Sequence, residues 1–139
     1  MIINVMLDDI GKMPKKAHEL DAGFDLFAPE IYTVRSGESV VIDTGVHIEI
    51  PKGYVGFLKS KSGLNVRCGI RGEGVIDAGY TGSIVAKLYN DSYEDVYIEE
   101  GQKFIQIVFL PIPDVELVQV NRLAETERGN GGFGSTGKF

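Results

Sequence analysis

The stretch "VHIEI", Val46 to Ile50, alternates apolar and polar side chains along its whole length. A period of two is typical of a β-strand that buries one face and leaves the other in water. Outward from it, seven more stretches are short and rich in β-branched or aromatic residues: "IYTV", "SVVI", "YVGFL", "SIVAKLYN", "DVYIE", "KFIQIVFL" and "VELVQV". Turn-forming sequences such as "RSGE", "PKG" and "EEGQ" separate them. Many short strands at regular spacing predict an all-β sandwich, jelly roll or barrel.

Helical patterns are scarce, and only "SGLNVRCG" and "NRLAETE" have the composition for a turn or two of helix. The 139 residues show no linker and no internal repeat, so one domain is expected. The β pattern stops after Thr126, where a glycine-rich stretch begins. We therefore assign residues 1–127 to a β domain and residues 128–139 to a C-terminal arm.

The composition argues against several classes of protein. Apolar residues make up 43% of the chain and charged residues 24%, as in ordinary globular domains. The net charge is −6, whereas a nucleic-acid surface needs a basic face, so nucleic acid is not an expected partner. No apolar run approaches ~18 residues, so neither a membrane span nor a membrane partner is expected.

The compartment and the metal chemistry are also bounded by composition. The start of the chain lacks the basic and apolar regions of a signal peptide, and Cys68 is the single cysteine. A reducing, cytoplasmic compartment is therefore expected, with the nucleus as an alternative. Two histidines and one cysteine are too few for a zinc site made only of protein ligands.

The arm "RGNGGFGSTGKF", Arg128 to Phe139, contains G-x-x-x-x-G-K, which is close to a phosphate-binding P-loop. A P-loop has Ser or Thr after the lysine and a helix beyond it, but Phe139 follows Lys138 here, so a P-loop is not expected. The arm still combines an arginine suited to phosphate, an aromatic ring suited to a base, and glycine amides suited to an anion. Ordering about ten residues costs on the order of 10 kcal/mol, so we expect the arm to be mobile until a ligand binds. A disordered terminus is the alternative.

Asp77 stands at the end of an apolar pair, Val75 and Ile76, and before the turn "AGYTG". A carboxylate held there is ionised at neutral pH and can accept a proton from water. The alternative is that Asp77 only caps a turn. Tyr80 has the same ambiguity, because it suits either the core or a platform under a sugar.

Two other regions carry polar residues in suggestive places. In "LKSKSGLNVRCGI" a strand breaks at Ser62 and Gly63, where a hydroxyl, free amides and Lys61 would suit phosphate oxygens, although a plain polar turn is the alternative. Asp25 and Gln106 each lie among apolar residues. Each needs a polar partner, which is either structural or a ligand.

In this order, "AGFDL", "SKSGL", "GVIDAGY", "GQKFIQIVF" and "RGNGGFGSTG" resemble the five motifs of the trimeric dUTP nucleotidohydrolase (dUTPase) family. The resemblance runs from about residue 14 to the end of the sequence. It implies a single-domain β jelly roll with a flexible C-terminal arm, assembled as a homotrimer with active sites at the subunit interfaces. It also implies hydrolysis of dUTP to dUMP and diphosphate with Mg2+, which limits uracil incorporation into DNA and supplies dUMP for dTTP synthesis.

The resemblance assigns roles position by position in the body of the chain. Asp77 matches the base that activates water, and Tyr80 matches the tyrosine under the deoxyribose. Asp25 matches an aspartate that supports the metal indirectly, through water. The positions that match the uracil-reading hairpin are Gly74, Val75, Ile76 and Val85, and those that match phosphate contacts are Lys61, Ser62, Gly63 and Gln106.

In the arm, Arg128 matches the arginine on the γ-phosphate and Phe133 matches the ring stacked on uracil. The positions near the terminal phosphate are Gly134, Ser135 and Thr136. The resemblance further implies that the arm of one subunit closes over the site of another.

The chain departs from the family pattern at Lys61 and Lys103, where arginine is usual, and at Gln102, where an acid is usual. Lysine keeps the charge and loses the planar fork of arginine. A related deaminase of dCTP is an alternative, but that enzyme lacks the arm motif. A binding or regulatory module on the same scaffold is a second alternative, although every catalytic position is filled here.

Overall fold

The computed structural model of the chain describes residues 1–133, which contain eleven β-strands and one short helix. In chain order they are β1 (Asn4–Leu7), β2 (Gly23–Phe27), β3 (Tyr32–Val34), β4 (Ser39–Asp43), β5 (Val46–Glu49), β6 (Tyr54–Ser60), α1 (Ser62–Cys68), β7 (Ile70–Arg71), β8 (Glu73–Ile76), β9 (Val85–Asn90), β10 (Val96–Ile98) and β11 (Lys103–Pro111).

The strands form four antiparallel sheets. The largest has the order β2-β11-β6-β8, and the next has the order β4-β9-β7. Two small sheets pair β1 with β5 and β3 with β10. Side chains from both larger sheets meet in one core, with Leu26 and Ile107 on one side and Ile42 and Leu88 on the other. The prediction of an all-β jelly-roll fold is confirmed.

The stretch from Val46 to Ile50 alternates between buried and more open positions, as its sequence predicts. In β5, Val46 and Ile48 are buried, and Glu49 between Ile48 and Ile50 is exposed. Six of the other seven predicted strands appear with shifted ends, and "SGLNVRCG" forms α1, which ends where Gly69 adopts a left-handed conformation. The strands β1, β2, β7 and β8 were not among the predicted set.

Two predictions are wrong within the described residues. "VELVQV", residues 115–120, forms no strand and joins no sheet of the described chain. Its apolar side chains are exposed, Leu117 to 95%. "NRLAETE", residues 121–127, is not helical and lies on the surface. A seven-residue stretch with nothing to pack against is too short to stay helical in water.

No helix found among residues 1–133 has both the length and the apolar character needed to cross a bilayer.

Candidate functional site

The turn that follows β8 forms the wall of a small open pocket. Its lining consists of Val75, Ile76, Asp77, Tyr80 and Val85, around a volume of about 180 Å³. Asp77 and Tyr80 are exposed, while Ile76 anchors the end of β8 in the core. The sequence therefore brings five of its predicted site residues to one concave surface, with a carboxylate beside an aromatic ring.

Local backbone chemistry sets the shape of this turn, residues 77–83, which we call the site turn. The N–H of Tyr80 donates to the carbonyl of Asp77 at 3.2 Å. Gly79 has φ 89°, a conformation that turns of this kind require and that glycine adopts without strain. The Tyr80 hydroxyl donates to the carbonyl of Ser83 at 2.9 Å, which fixes the ring over the pocket.

The strands on either side of the site turn do not pair with each other. β8 pairs with β6, whereas β9 pairs with β4 and β7. Val85 nevertheless faces the pocket from β9. The predicted hairpin is thus an arch between two sheets, and the backbone edge of β8 that β6 does not use is free of a ladder partner in the described chain.

A second polar group surrounds Asp25, which is only 2% exposed on β2. One carboxylate oxygen accepts a hydrogen bond from the ammonium of Lys61, and the other forms an ion pair with the ammonium of Lys103 at 3.0 Å. A buried carboxylate needs such compensation, because an unpaired buried charge is strongly destabilising. The two lysines that depart from the family pattern are therefore the two partners of the same aspartate.

Gln106 lies beside this group and has a structural partner. It faces Asp25 across the β2–β11 ladder, and its side-chain amide donates to the carbonyl of Ser60 at 3.1 Å. A Cβ atom on Gly23 would lie 2.3 Å from the Gln106 Oε1, so a larger residue there would displace the Gln106 side chain. The bond holds the end of β6, from which Lys61 extends. A ligand contact by Gln106 stays a prediction.

Ser62 and Gly63 begin α1 and are both exposed. The first backbone bond at this helix start runs from Asn65 N–H to the carbonyl of Lys61, at 2.9 Å. The N–H groups of the first turn precede that bond and have no acceptor within the helix. These N–H groups and the Lys61 ammonium are the donors that the sequence predicts for binding phosphate.

These two parts of the predicted site lie at opposite ends of β6. Ile76, next to Asp77, pairs with Gly56 near the start of β6, while Lys61 follows Ser60 at its end. At about 3.3 Å of rise per residue, roughly 15–20 Å separates Asp77 from Lys61 within one chain. A general base must lie within hydrogen-bond reach of the water that it activates, so one chain does not surround a single phosphorus atom with both groups.

The arm is described as far as residue 133 and lies on the surface. The N–H of Gly131 donates to the carbonyl of Arg128 at 2.8 Å, and the Arg128 Nε donates to the carbonyl of Gly131 at 2.8 Å. The Phe133 ring is fully exposed. The predicted contacts at Gly134, Ser135 and Thr136 lie outside the described residues.

Sequence reasoning did not single out His47 or Asp43, which both hold the site turn. Asp43 accepts hydrogen bonds from the Ser83 hydroxyl and from the Gly45 N–H, and these bonds lower the pKa of its carboxyl. The ring of His47 reaches the carbonyl of Thr81 at 2.8 Å. A lone polar residue on a half-buried strand has no sequence signature, so only the fold reveals these contacts.

The described residues contain no group of three histidine, cysteine or acidic side chains close enough to hold a metal ion. A cage made only of protein ligands is therefore absent from residues 1–133. Mg2+ is commonly bound by one or two carboxylates together with substrate phosphates and water. The described residues fit a metal that would be carried by the phosphates and water, which would leave the Asp77 carboxylate at the pocket free to contact water.

Comparison with known proteins gives a consistent family relationship. The family model for dUTPase matches residues 9–137. The deoxyuridine 5'-triphosphate nucleotidohydrolase of Clostridium tetani is 40% identical over 96% of this chain and 94% of its own length. The protein of the same name from Candida albicans is 41% identical over 92% of this chain and 82% of its own length.

Solved structures agree with the sequence relationships. A mutant dUTPase of Staphylococcus bacteriophage 80alpha, with dUpNHpp, is 32% identical with a TM-score of 0.88, and the match covers 98% of both chains. A mutant dUTPase from phage phi11 of S. aureus, which coordinates a structural Mg(II) ion, is 31% identical with a TM-score of 0.82. That match covers 90% of this chain and 100% of the other.

Proposed function

This chain belongs to the dUTPase family, and we propose that it hydrolyses dUTP to dUMP and diphosphate by attack of water on the α-phosphorus. The observation that carries the proposal is the pocket in which Asp77 and Tyr80 lie together between Val75 and Val85. In that pocket Asp77 accepts the proton of the attacking water. The reaction removes dUTP, which limits uracil incorporation into DNA, and supplies dUMP for dTTP synthesis.

The pocket supports selection for a deoxyribonucleotide. The Tyr80 ring is tied at its hydroxyl to the Ser83 carbonyl, so it is held as a rigid platform. A Cβ atom at Gly82 would lie 2.5 Å from the Tyr80 oxygen, so the turn has no room to retreat from the ring. A sugar stacked on this platform has no space for a 2′-hydroxyl. The free backbone edge of β8, at Gly74 and Val75, reads the uracil.

Mg2+ enters with the substrate in this proposal, since the described residues hold no protein cage for it. When bound, the metal orients the phosphates and neutralises charge that develops on them. The chain's own groups do the remaining work: Lys61, Ser62 and Gly63 hold phosphate oxygens. Asp25 orients Lys61 and supports the metal shell only indirectly, through water. Since the net charge is −6, attraction of the nucleotide depends on these contacts at short range.

The sequence arrangement also supports a homotrimer with shared sites. The turn that bears Asp77 and the predicted phosphate-binding residues at Lys61 are too far apart in one chain, so a second copy completes the site. Residues 112–127 supply a segment that joins no sheet of the described chain, with the apolar side chains of Val115, Leu117 and Val120 exposed. Burying such a segment against another copy removes this apolar surface from water. The arm, residues 128–139, then closes over a neighbouring copy's site.

Activity on a panel of nucleotides tests the proposed function. We expect diphosphate release from dUTP with Mg2+, and little from dTTP, dCTP or UTP. Release of ammonia from dCTP would instead assign the chain to the deaminase activity. Absence of diphosphate release from all four nucleotides would overturn the proposal.

Mixing two inactive variants tests whether copies share each site. The variants are Asp77→Asn and Ser62→Ala, each of which is exposed and leaves the core untouched. If Asp77 and Ser62 of one site come from different chains, about a quarter of the sites in randomly mixed trimers should be intact. Each of the two residues is then unmodified in about half of the sites, independently of the other. The measurement is dUTP turnover after the two variants are co-refolded at equal concentration.

The matched control for this experiment places both changes in one chain and mixes it with an Asp77→Asn chain. No intact site forms in that mixture under either geometry, so the mixture should stay inactive. If the first mixture also stays inactive while both variants assemble normally, the shared-site geometry is wrong.

The lysine partners of Asp25 predict the outcome of a substitution toward the family pattern. Lys61→Arg should keep kcat/KM within about threefold, because arginine keeps the charge and still donates to the buried carboxylate. Lys61→Ala removes one of the two cations on Asp25 and should lower both activity and the free energy of unfolding, the latter by about 1–3 kcal/mol. Steady-state kinetics and thermal unfolding of both variants check this. A large loss in Lys61→Arg would show that the site requires the geometry of lysine.

A further inference from the structure

His47 lies on β5 with its ring between two acceptors from different parts of the fold. It pairs with Met6 of β1, and its side chain is 17% exposed. Nε2 lies 3.0 Å from a carboxylate oxygen of Asp8, and Nδ1 lies 2.8 Å from the carbonyl oxygen of Thr81. Asp8 follows β1, and Thr81 lies in the site turn.

Both acceptors fix the protonation state of the ring. A carbonyl and a carboxylate can only accept hydrogen bonds, and a neutral imidazole has only one N–H to donate. The two contacts are therefore satisfied together only by the imidazolium. The hydrogen bond with Asp8, and then the one with Thr81, raise the pKa of His47 above its ordinary value. Asp43, across on β4, adds to the shift by its charge.

The contact with Thr81 is also the main attachment of residues 77–82, which we call the tip of the site turn. Tyr80 bonds only within the turn, to Asp77 and Ser83. The base of the turn is fixed separately. The Ser83 hydroxyl donates to Asp43, and the backbone of Ile84 forms hydrogen bonds with Thr44, before β5, and with Val46, within β5. Within residues 1–133, the His47 ring makes the one hydrogen bond that reaches residues 77–82 from outside the turn.

We propose that His47 is a positioning residue for the nucleotide site: its imidazolium holds the site turn against the β1–β5 pair, and loss of the ring proton releases the turn and weakens nucleotide binding. This proposal rests on the proposed function of the pocket. The residue does not touch the substrate. It acts on Asp77 and Tyr80 through the peptide group that Thr81 and Gly82 share.

The direction of the pH effect follows from the raised pKa. The tether is complete below the ordinary histidine value of about 6.5 and is lost as the pH rises through the raised pKa. The neutral ring keeps one N–H. That proton stays on the ring nitrogen Nε2, which donates it to the Asp8 carboxylate, because a hydrogen bond to a charged acceptor is the stronger one. The contact that breaks is therefore the one with Thr81, and the tip of the site turn loosens.

Kinetics across pH test the proposal, with the second histidine as a matched control. We compare the chain with His47→Gln, whose amide still donates to Thr81 but does not titrate, and with His18→Gln. His18 is largely exposed beside Asp21, away from the pocket. From about pH 5.5 to 9, the unmodified chain and His18→Gln should lose roughly two- to tenfold in kcat/KM, mainly through KM, which is the range for one hydrogen bond. His47→Gln should lack that fall.

Nuclear magnetic resonance supplies a readout that does not depend on catalysis. The imidazole of His47 should titrate above the ordinary histidine value, because its pKa is raised, and the amide signal of Gly82 should shift with the same midpoint. Asp8→Asn should move both midpoints down together. If the chain did not hydrolyse dUTP, the proposed function would fail while this coupling could still be observed.

Two results would overturn the proposal. One is a pH profile of His47→Gln that matches the unmodified chain throughout. The other is a Gly82 signal that ignores the titration of His47, which would mean that the ring does not hold the turn.

Discussion

Asp77→Asn lowers the turnover of dUTP by about 10²- to 10⁴-fold, the contribution of a well-placed general base. The amide keeps the size and the polar contacts of the carboxylate but does not accept the proton of the attacking water. Asp77 is exposed at the pocket and outside the core, so neither folding nor nucleotide binding should change much. Turnover kinetics and dUTP titration by calorimetry, each on the same preparation, measure the two effects separately.

Asp95→Asn is the control for a general loss of negative charge. Asp95 is another exposed aspartate, which accepts a hydrogen bond from the N–H of Ser36 and does not line the pocket. It should retain normal turnover. Near-normal activity in Asp77→Asn would show that a different group activates the water.

Removal of residues 128–139 has the second large effect. The described part of the arm bonds only to itself and to Thr126, so its loss removes no core contact. The melting temperature should stay the same. A phosphate contact by Arg128 and stacking by Phe133 are each worth about 1–3 kcal/mol, so kcat/KM should fall by roughly 10²- to 10⁴-fold.

Shorter changes separate the parts of the arm. Removing only Lys138 and Phe139, which lie beyond the motif, should leave kcat/KM close to normal. Phe133→Ala should weaken the binding of dUTP more than the binding of inorganic triphosphate, because the ring is proposed to stack on the uracil. Arg128→Ala should weaken the binding of both. Unchanged kinetics after complete removal would refute a role for the arm in catalysis.

Strands with one buried face, such as β5 and β9, are predicted correctly because burial of one face leaves an alternating pattern. β2 was not predicted, since "GFDLF" is buried at nearly every position and places Asp25 inside. Residues 115–120 show the converse failure. The pattern of a strand is present there, but a strand also needs a neighbour to accept its hydrogen bonds, and the described chain offers none.

The sequence predicts candidate site residues but not how the fold arranges them. Five predicted residues meet at one pocket, and Gln106 and Asp25 found the partners that buried polar groups need. The separation of Asp77 from Lys61 depends on the register of β8 on β6, which no local motif encodes. His47 was not singled out because its partners come from residues 8 and 81, both more than thirty positions away in sequence.

The exposed segment after β11 has a consequence for the newly made chain. Val115, Leu117 and Val118 are all exposed there, and apolar surfaces of this kind are prone to non-specific association between chains. Asp114 and Glu116 are interleaved with these residues, and charges so placed act as gatekeepers against aggregation. The same negative charge that opposes the approach of a nucleotide therefore also opposes non-specific association through this segment.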